Sequence, residues 1–233
     1  MNKIKIGTIQ VNNSFSGQNY LPLSLGFLVS YAEMHCKNFN DFDFLNPIYK
    51  KDAIEQYKAC DIVAFSVYVW NNNISMRIAK ALKEVNPNIL TLVGGCHIPE
   101  RPEYIEKYMN DHPYIDIASV GEGERVFTDF LENYPKRTWE NVESLIYRDG
   151  DKLITTPQAE RIKDMNEIPS PFVEGYFDGL IKDNPEERWI GLWETNRGCP
   201  FACTFCDWGV GFKKKVSKYN LEDRLFYEID WFS

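Results

Sequence analysis

The chain has 233 residues, of which 44% are hydrophobic and 26% are charged. This balance is typical of a globular protein of one or two domains and excludes a disordered or collagen-like chain. The net charge of −8 argues against a broad surface for nucleic acid or another polyanion. No apolar run approaches the length of a membrane helix and the N-terminus lacks the apolar core of a signal peptide, so we expect a cytoplasmic protein without a membrane segment.

Residues 1–138 alternate between strand and helix patterns. Short apolar runs predict strands, and apolar residues three and four positions apart predict the helices between them. Strands separated by helices indicate a doubly wound α/β fold, in which helices cover both faces of a parallel sheet. The predicted strands are Lys3–Val11, Phe39–Leu45, Asp61–Val69, Ile89–Val93 and Ile115–Val120, and the predicted helices are Pro22–His35, Asp52–Lys58, Ile74–Val85, Pro102–Met109 and Gly121–Leu131.

The pattern changes after this first domain. Residues 139–188 begin with two short strands around Asp149-Gly150, which predict a β-hairpin, and continue as a connector rich in Pro, Asp and Asn. Residues 189–233 begin a new unit with a strand, a cysteine-rich loop and a helix. The predicted elements of this part are the hairpin strands Glu143–Tyr147 and Lys152–Thr155, the strand Trp189–Thr195 and the helix Leu221–Phe232.

Three of the six cysteines lie in one loop. Cys199, Cys203 and Cys206 follow the spacing C-x3-C-x2-C, and Phe205 precedes the last of them. Cytosolic thiols are kept reduced, so metal binding explains such a group better than disulfides do. Three thiolates can hold three irons of a [4Fe–4S] cluster and leave the fourth iron open for chemistry. A structural zinc site usually pairs C-x2-C with a second C-x2-C or with two histidines, and neither follows Cys206.

This loop resembles the signature of the radical S-adenosylmethionine (SAM) superfamily. The resemblance implies that Cys199, Cys203 and Cys206 ligate a [4Fe–4S] cluster and that SAM binds its open iron. It also implies that Phe205 packs beside the cluster and SAM, and that a flavodoxin or ferredoxin supplies the electron that cleaves SAM. The resulting radical would modify a small-molecule or peptide substrate. Methylation and cyclisation both stay open at this point.

Two glycine motifs resemble the Rossmann-like cobalamin (B12)-binding domain that precedes many radical SAM domains. Each follows a predicted strand, where ligands of doubly wound sheets bind. The histidine motif that supplies a ligand to cobalt in one class of such domains is absent, so cobalamin is possible without being required. The glycines can equally make tight turns, and the acids Glu122 and Glu124 can contact a ligand hydroxyl or simply favour a helix dipole. The residues that the resemblance places along the edge of the corrin or its nucleotide tail are Gly94, Gly95, Gly121, Glu122 and Gly123.

The length is short for a complete radical SAM protein. Only 45 residues follow position 188, whereas a (β/α)8 barrel needs at least about 200. We therefore expect a truncated barrel, belonging to a fragment, a truncated gene product or a split enzyme whose second chain supplies the rest. Two alternatives to the enzyme are open: a module that binds cobalamin or a nucleotide-like ligand and carries a vestigial cluster loop, and an iron–sulfur or zinc protein that uses the loop for structure or electron transfer.

Overall fold

The computed structural model describes residues 3–12, 14–49, 53–199, 201, 203–205, 217–218 and 222–233. The strands are β1 (Ile4–Ile9), β2 (Gln18–Tyr20), β3 (Phe42–Phe44), β4 (Ile62–Ser66), β5 (Leu90–Gly94), β6 (Ile117–Ser119), β7 (Leu145–Asp149), β8 (Lys152–Thr155), β9 (Arg188–Ile190), β10 (Asn196–Arg197) and β11 (Ser217–Lys218). The helices are α1 (Leu23–His35), α2 (Ala53–Tyr57), α3 (Asn72–Val85), α4 (Pro102–Asp111), α5 (Gly123–Asn133), α6 (Asp178–Asp183) and α7 (Glu222–Phe232). Within these described parts, no helix combines the length and apolar character needed to cross a bilayer.

The main sheet confirms the predicted doubly wound α/β fold. Its strand order is β3-β1-β4-β5-β6-β7-β8, and the first five strands in this order pair in parallel. Counted along the chain, these five strands follow the order 2-1-3-4-5 of flavodoxin-like sheets. The order reverses between β1 and β4, which marks the point where ligands of such sheets bind.

Helices cover both faces of this sheet. Tyr57 of α2, Met76 of α3 and Ile105 of α4 belong to one hydrophobic cluster, whereas Val29 of α1 and Val126 of α5 belong to the cluster on the other face. Every residue of β4 is buried, as expected for a central strand that is covered on both sides. Each fully buried aliphatic or aromatic side chain stabilises the fold by roughly 1.5–3 kcal/mol.

The predicted hairpin extends the main sheet. Its first strand, β7, pairs antiparallel with β6, and β8 follows as the edge strand. The connector after it is also packed, because Ile162, Met165 and Phe172 lie buried with Phe27 of α1 in a third cluster. The sequence pattern predicted neither the helix α6 of this connector nor the strand β2, which precedes α1 and pairs in parallel with β9.

The last helix, α7, is anchored through a buried ion pair. Arg224 Nε donates to Glu228 Oε1 at 3.0 Å, and both side chains are at least 93% buried. Arg224 also donates to the carbonyl of Ile168 in the connector, and Trp193 Nε1 donates to Glu228 Oε2 at 2.6 Å. These bonds hold α7 against the connector and against the segment that leads into the cysteine loop.

Candidate functional site

Four polar side chains meet at the point where the strand order reverses. Ser24, at the start of α1, donates from Oγ to Gln10 Oε1 at 2.5 Å, and its Oγ lies 2.9 Å from Ser66 Oγ. Tyr68 adds a hydrogen bond from its hydroxyl to Ser24 Oγ at 3.2 Å. Gln10 follows β1 and Ser66 ends β4, so the network spans the carboxyl ends of both strands. Burial raises the pKa of Tyr68 above its ordinary value, which keeps its hydroxyl a neutral donor.

Asn71 fixes the loop that follows β4. Its Oδ1 accepts from the backbone N–H of Tyr68 at 2.7 Å, and its Nδ2 donates to the carbonyls of Val11 and Ser66 at 3.1 and 3.0 Å. The residue is 1% exposed. A buried amide that satisfies three backbone groups holds the loop rigidly against the end of β1. In the sequence, the position of Asn71 between a buried strand and a helix was the only sign of this role. That position does not reveal which backbone groups the side chain binds.

The same loop presents a flat aromatic surface beside the polar network. The rings of Tyr68 and Trp70 stack with centroids 4.6 Å apart and planes 7° apart. Trp70 is 56% exposed and Val69 is 73% exposed. Apolar surface next to a few convergent polar groups is the usual composition of a small-molecule site. This edge is therefore suited to a ligand with a flat apolar face and polar substituents.

The first glycine motif brings β5 against this loop. Gly95 has φ +114°, and a Cβ at this position would lie 2.6 Å from the carbonyl oxygen of Val67. Only glycine fits this backbone conformation and approach. Gly94 differs, because its nearest neighbour would be Ser119 Cβ at an ordinary 3.7 Å. The turn itself thus explains Gly95, and contact of Gly94 and Gly95 with a ligand stays a prediction.

The second glycine motif lies at the start of α5. Gly121 has φ +84° and opens onto a cleft of about 320 Å³ that Glu122 and Arg125 also line. A Cβ on Gly123 would lie 2.8 Å from Leu28 Cδ2, so this glycine lets α5 pack closely on α1. The assignment of Gly121, Glu122 and Gly123 to a ligand edge stays a prediction.

The two acids of this motif bind other parts of the chain. Glu122 Oε1 accepts from Arg161 Nε at 2.9 Å, and its Oε2 accepts from the backbone N–H of Ile162 at 3.0 Å. Glu124 Oε1 accepts from Arg197 Nη2 at 2.5 Å. Sequence reasoning considered a ligand contact or a helix dipole for these acids and did not find either arginine. No local signal indicates them, because the two arginines are 39 and 73 residues away.

The cysteine loop begins directly after β10. Gly198 has φ +100° and separates Arg197 from Cys199, whose thiol is partly exposed and free. Cys203 is exposed and free, and Phe205 is 92% exposed. The third predicted ligand, Cys206, lies outside the described residues. Among the residues that the structure does describe, no three histidine, cysteine or carboxylate side chains form an assembled metal site.

The cysteines should separate into two reactivity classes. Burial raises the pKa of the Cys36 thiol and raises that of Cys60 to about 11, so both thiols stay protonated and shielded at pH 8. Cys96 and Cys203 are exposed and Cys199 is partly exposed. We expect iodoacetamide at pH 8 to label these three in the folded, metal-free chain and to label Cys36 and Cys60 only after denaturation. Peptide mass spectrometry measures this, and early labelling of Cys60 would contradict it.

Comparison with known protein families identifies part of the chain. Residues 23–131, from α1 into α5, match the B12 binding domain family. The cobalamin-dependent radical SAM methyltransferase TokK of Streptomyces tokunonensis is 36% identical over 225 residues, which cover 92% of this chain and 32% of TokK. The 2-(S-pantetheinyl)-carbapenam-3-carboxylate methyltransferase of Streptantibioticus cattleyicolor is 36% identical over 224 residues, with the same coverage.

Comparison with solved structures supports the fold. The cobalamin-dependent S-adenosylmethionine radical enzyme OxsB, solved with aqua-cobalamin and S-adenosylmethionine bound, superposes with a TM-score of 0.69 at 18% identity. The match covers 98% of this chain and 31% of OxsB. The chain thus spans about a third of the length of these relatives.

Proposed function

We propose that this chain belongs to the radical SAM proteins that carry a B12-binding domain, and that it forms part of a cobalamin-dependent enzyme that methylates a small molecule. In this proposal, cobalamin binds at the carboxyl edge of the main sheet, and Cys199, Cys203 and Cys206 hold a [4Fe–4S] cluster that binds SAM. The two relatives above are named as methyltransferases, which favours methylation over cyclisation.

The extent of the similarity to TokK carries this proposal. An aligned stretch that covers 92% of the chain necessarily includes both the B12-binding region and the cysteine loop. A module that only bound cobalamin would need similarity in the first region alone. Similarity that runs through both regions favours a chain that uses both cofactors.

The residues at the sheet edge fit cobalamin chemically. A corrin is a flat macrocycle with amide side chains, so it offers both an apolar face and many hydrogen-bonding groups. The stacked rings of Tyr68 and Trp70 would contact apolar parts of the ligand, and Ser24, which Gln10 orients, would bond to its amides or its nucleotide tail. Bound cobalamin supplies a cobalt atom that can carry a methyl group. The chain's part is to orient the ligand and to exclude water from it.

The cysteine loop fits an iron–sulfur cluster by its donor set. Cys199 and Cys203 are free thiols on one loop, and thiolates are the usual ligands of iron–sulfur clusters. A bound cluster supplies the electron that cleaves SAM. The exposure of Cys203 and Phe205 leaves this loop accessible to an electron donor such as a flavodoxin or ferredoxin. The remaining barrel strands would come from the rest of the polypeptide or from a second chain.

Anaerobic reconstitution tests the proposal. The chain is reconstituted with iron and sulfide, iron is counted, and electron paramagnetic resonance (EPR) of the reduced cluster is recorded with and without SAM. We expect about four irons per chain, as in a [4Fe–4S] cluster. A spectrum that shifts with SAM would support the open iron. An unshifted spectrum would count against SAM binding by this chain, and zinc or no metal would leave the cobalamin-binding module.

A substitution at the aromatic surface tests the cobalamin site separately. We expect Trp70→Ala to weaken hydroxocobalamin binding about tenfold, because a buried aromatic contact of roughly 1.4 kcal/mol is lost. Tyr104→Ala is the matched control, since Tyr104 is 55% exposed on α4, close to the 56% of Trp70. Absorbance titration measures both affinities. Equal affinities of the two variants would contradict this placement.

A further inference from the structure

Arg197 joins three parts of the fold immediately before the cysteine loop. Its Nη2 donates to Glu124 of α5 at 2.5 Å, and its Nε donates to Glu194 at 2.7 Å. Its guanidinium carbon lies 5.3 Å from the ring centre of Phe27 of α1. The side chain of Glu124 is 6% exposed and that of Arg197 is 15% exposed. The group is therefore a largely buried cation between two carboxylates and an aromatic ring.

We propose that Arg197 is a positioning residue that fixes the first cysteine of the loop against the ligand edge of the main sheet. Cys199 lies two residues beyond Arg197, and the intervening Gly198 has φ +100°. The backbone of Arg197 pairs with Ser217 in the ribbon β10–β11, which brackets the loop. The side chain of Arg197 thus sets where the bracketed loop begins. That the loop holds a cluster rests on the proposed function.

The side-chain chemistry of Arg197 and its two carboxylate partners, Glu124 and Glu194, favours a rigid anchor. An arginine fork can donate in two directions and stack on a ring at once, whereas a lysine offers a single point charge. Burial raises the pKa of Glu194 above its ordinary value, and the charge of Arg197 opposes that shift. The guanidinium of Arg197 stays positively charged in this buried position, because arginine does not lose its proton in proteins. Removing either partner would leave an incompletely compensated charge in a site with little water.

The acid motif at the start of α5 thereby acquires a shared role. Glu122 binds the connector through Arg161, and Glu124, two residues on, binds the cysteine segment through Arg197. Both acids follow Gly121, which lies at the predicted ligand edge. Glu124, in the first turn of α5, joins this edge to Arg197, which lies two residues before Cys199. The motif thus connects the B12-binding region to the cluster loop.

Thiol alkylation in the metal-free chain tests this role. We expect Arg197→Met and Glu124→Gln to increase the alkylation rate of Cys199 relative to Cys96 by at least about threefold, because loosening an anchor favours local opening. Cys96 is exposed in the turn that follows β5 and serves as the reference within the same molecule. The matched control is Glu132→Gln, which lies on α5 like Glu124 and removes an ion pair with Lys37. In this control variant, the alkylation rate of Cys199 relative to Cys96 should equal that of the unchanged chain.

Two further readouts separate positioning from general stability. If Arg197→Met fails to fold, the isosteric Glu124→Gln variant alone tests the proposal. An unchanged alkylation rate of Cys199 in a folded Glu124→Gln chain would overturn it. In the reconstituted protein, the reduced cluster of Glu124→Gln should give an altered EPR spectrum, which a loss of stability alone would not produce. The alkylation experiment needs neither cofactor. A chain that binds no cluster would thus refute the proposed function without deciding the role of Arg197.

Discussion

Replacing Cys199 or Cys203 with alanine should abolish assembly of a four-iron cluster in this chain. The proposed cluster has three protein ligands and one open iron, so the loss of one thiolate leaves a second iron without a protein ligand. Serine is a less informative replacement, because its oxygen can substitute for a thiolate. Iron and sulfide analysis after anaerobic reconstitution, together with visible absorbance, measures the outcome. We expect less than about a tenth of the iron of the unchanged chain, since these clusters depend on full thiolate ligation.

Cys96→Ala provides the matched control for this loss. Cys96 is also an exposed free cysteine, but it follows β5 at the other candidate site, 103 residues before Cys199. Its removal should leave the iron content unchanged. If Cys199→Ala still bound about four irons, with the spectrum of the unchanged chain, the assignment of the loop would be wrong.

Gly95→Ala should destabilise the fold by about 3 kcal/mol, because strain at a glycine-only backbone angle adds to a steric clash. The clash would arise between the new Cβ and the carbonyl oxygen of Val67, 2.6 Å away, which is backbone and cannot rotate aside. Relief would require β5 to move away from the loop after β4. The same movement would displace Trp70 and weaken cobalamin binding. Urea denaturation measures the free energy of unfolding, and absorbance titration measures the affinity.

Gly94→Ala is the neighbouring control. Its Cβ would meet Ser119 Cβ at 3.7 Å, which is ordinary van der Waals contact. We expect a change in the free energy of unfolding of less than about 1 kcal/mol, as for a substitution without strain. If both alanine variants lowered the free energy of unfolding equally, the positive φ and the close contact of Gly95 would not explain why glycine is required at that position.

The sequence by itself predicted the helices and the main-sheet strands of residues 1–138, and it determined the thiol spacing of the cysteine loop. The buried strand β4 is an almost continuous apolar run, and the helix α3 repeats apolar residues at helical spacing. Both signals are local, because the side chains that define them lie within one element. The thiol spacing from Cys199 to Cys206 is local for the same reason. Local periodicity therefore sufficed for the order of elements and, through the crossover rules, for a parallel sheet.

Only the tertiary structure decided which distant residues meet. Strand β2 has three residues and no periodic pattern. It is a strand because β9 pairs with it, and Gln18 lies opposite Arg188, 170 residues farther along the chain. The contacts of Ser24 with Gln10 and Ser66 depend on the reversal of strand order between β1 and β4. The pair of Glu124 and Arg197 likewise joins residues 73 positions apart. Spacing along a chain carries no information about such partners, because packing of the whole sheet and its helices brings them together.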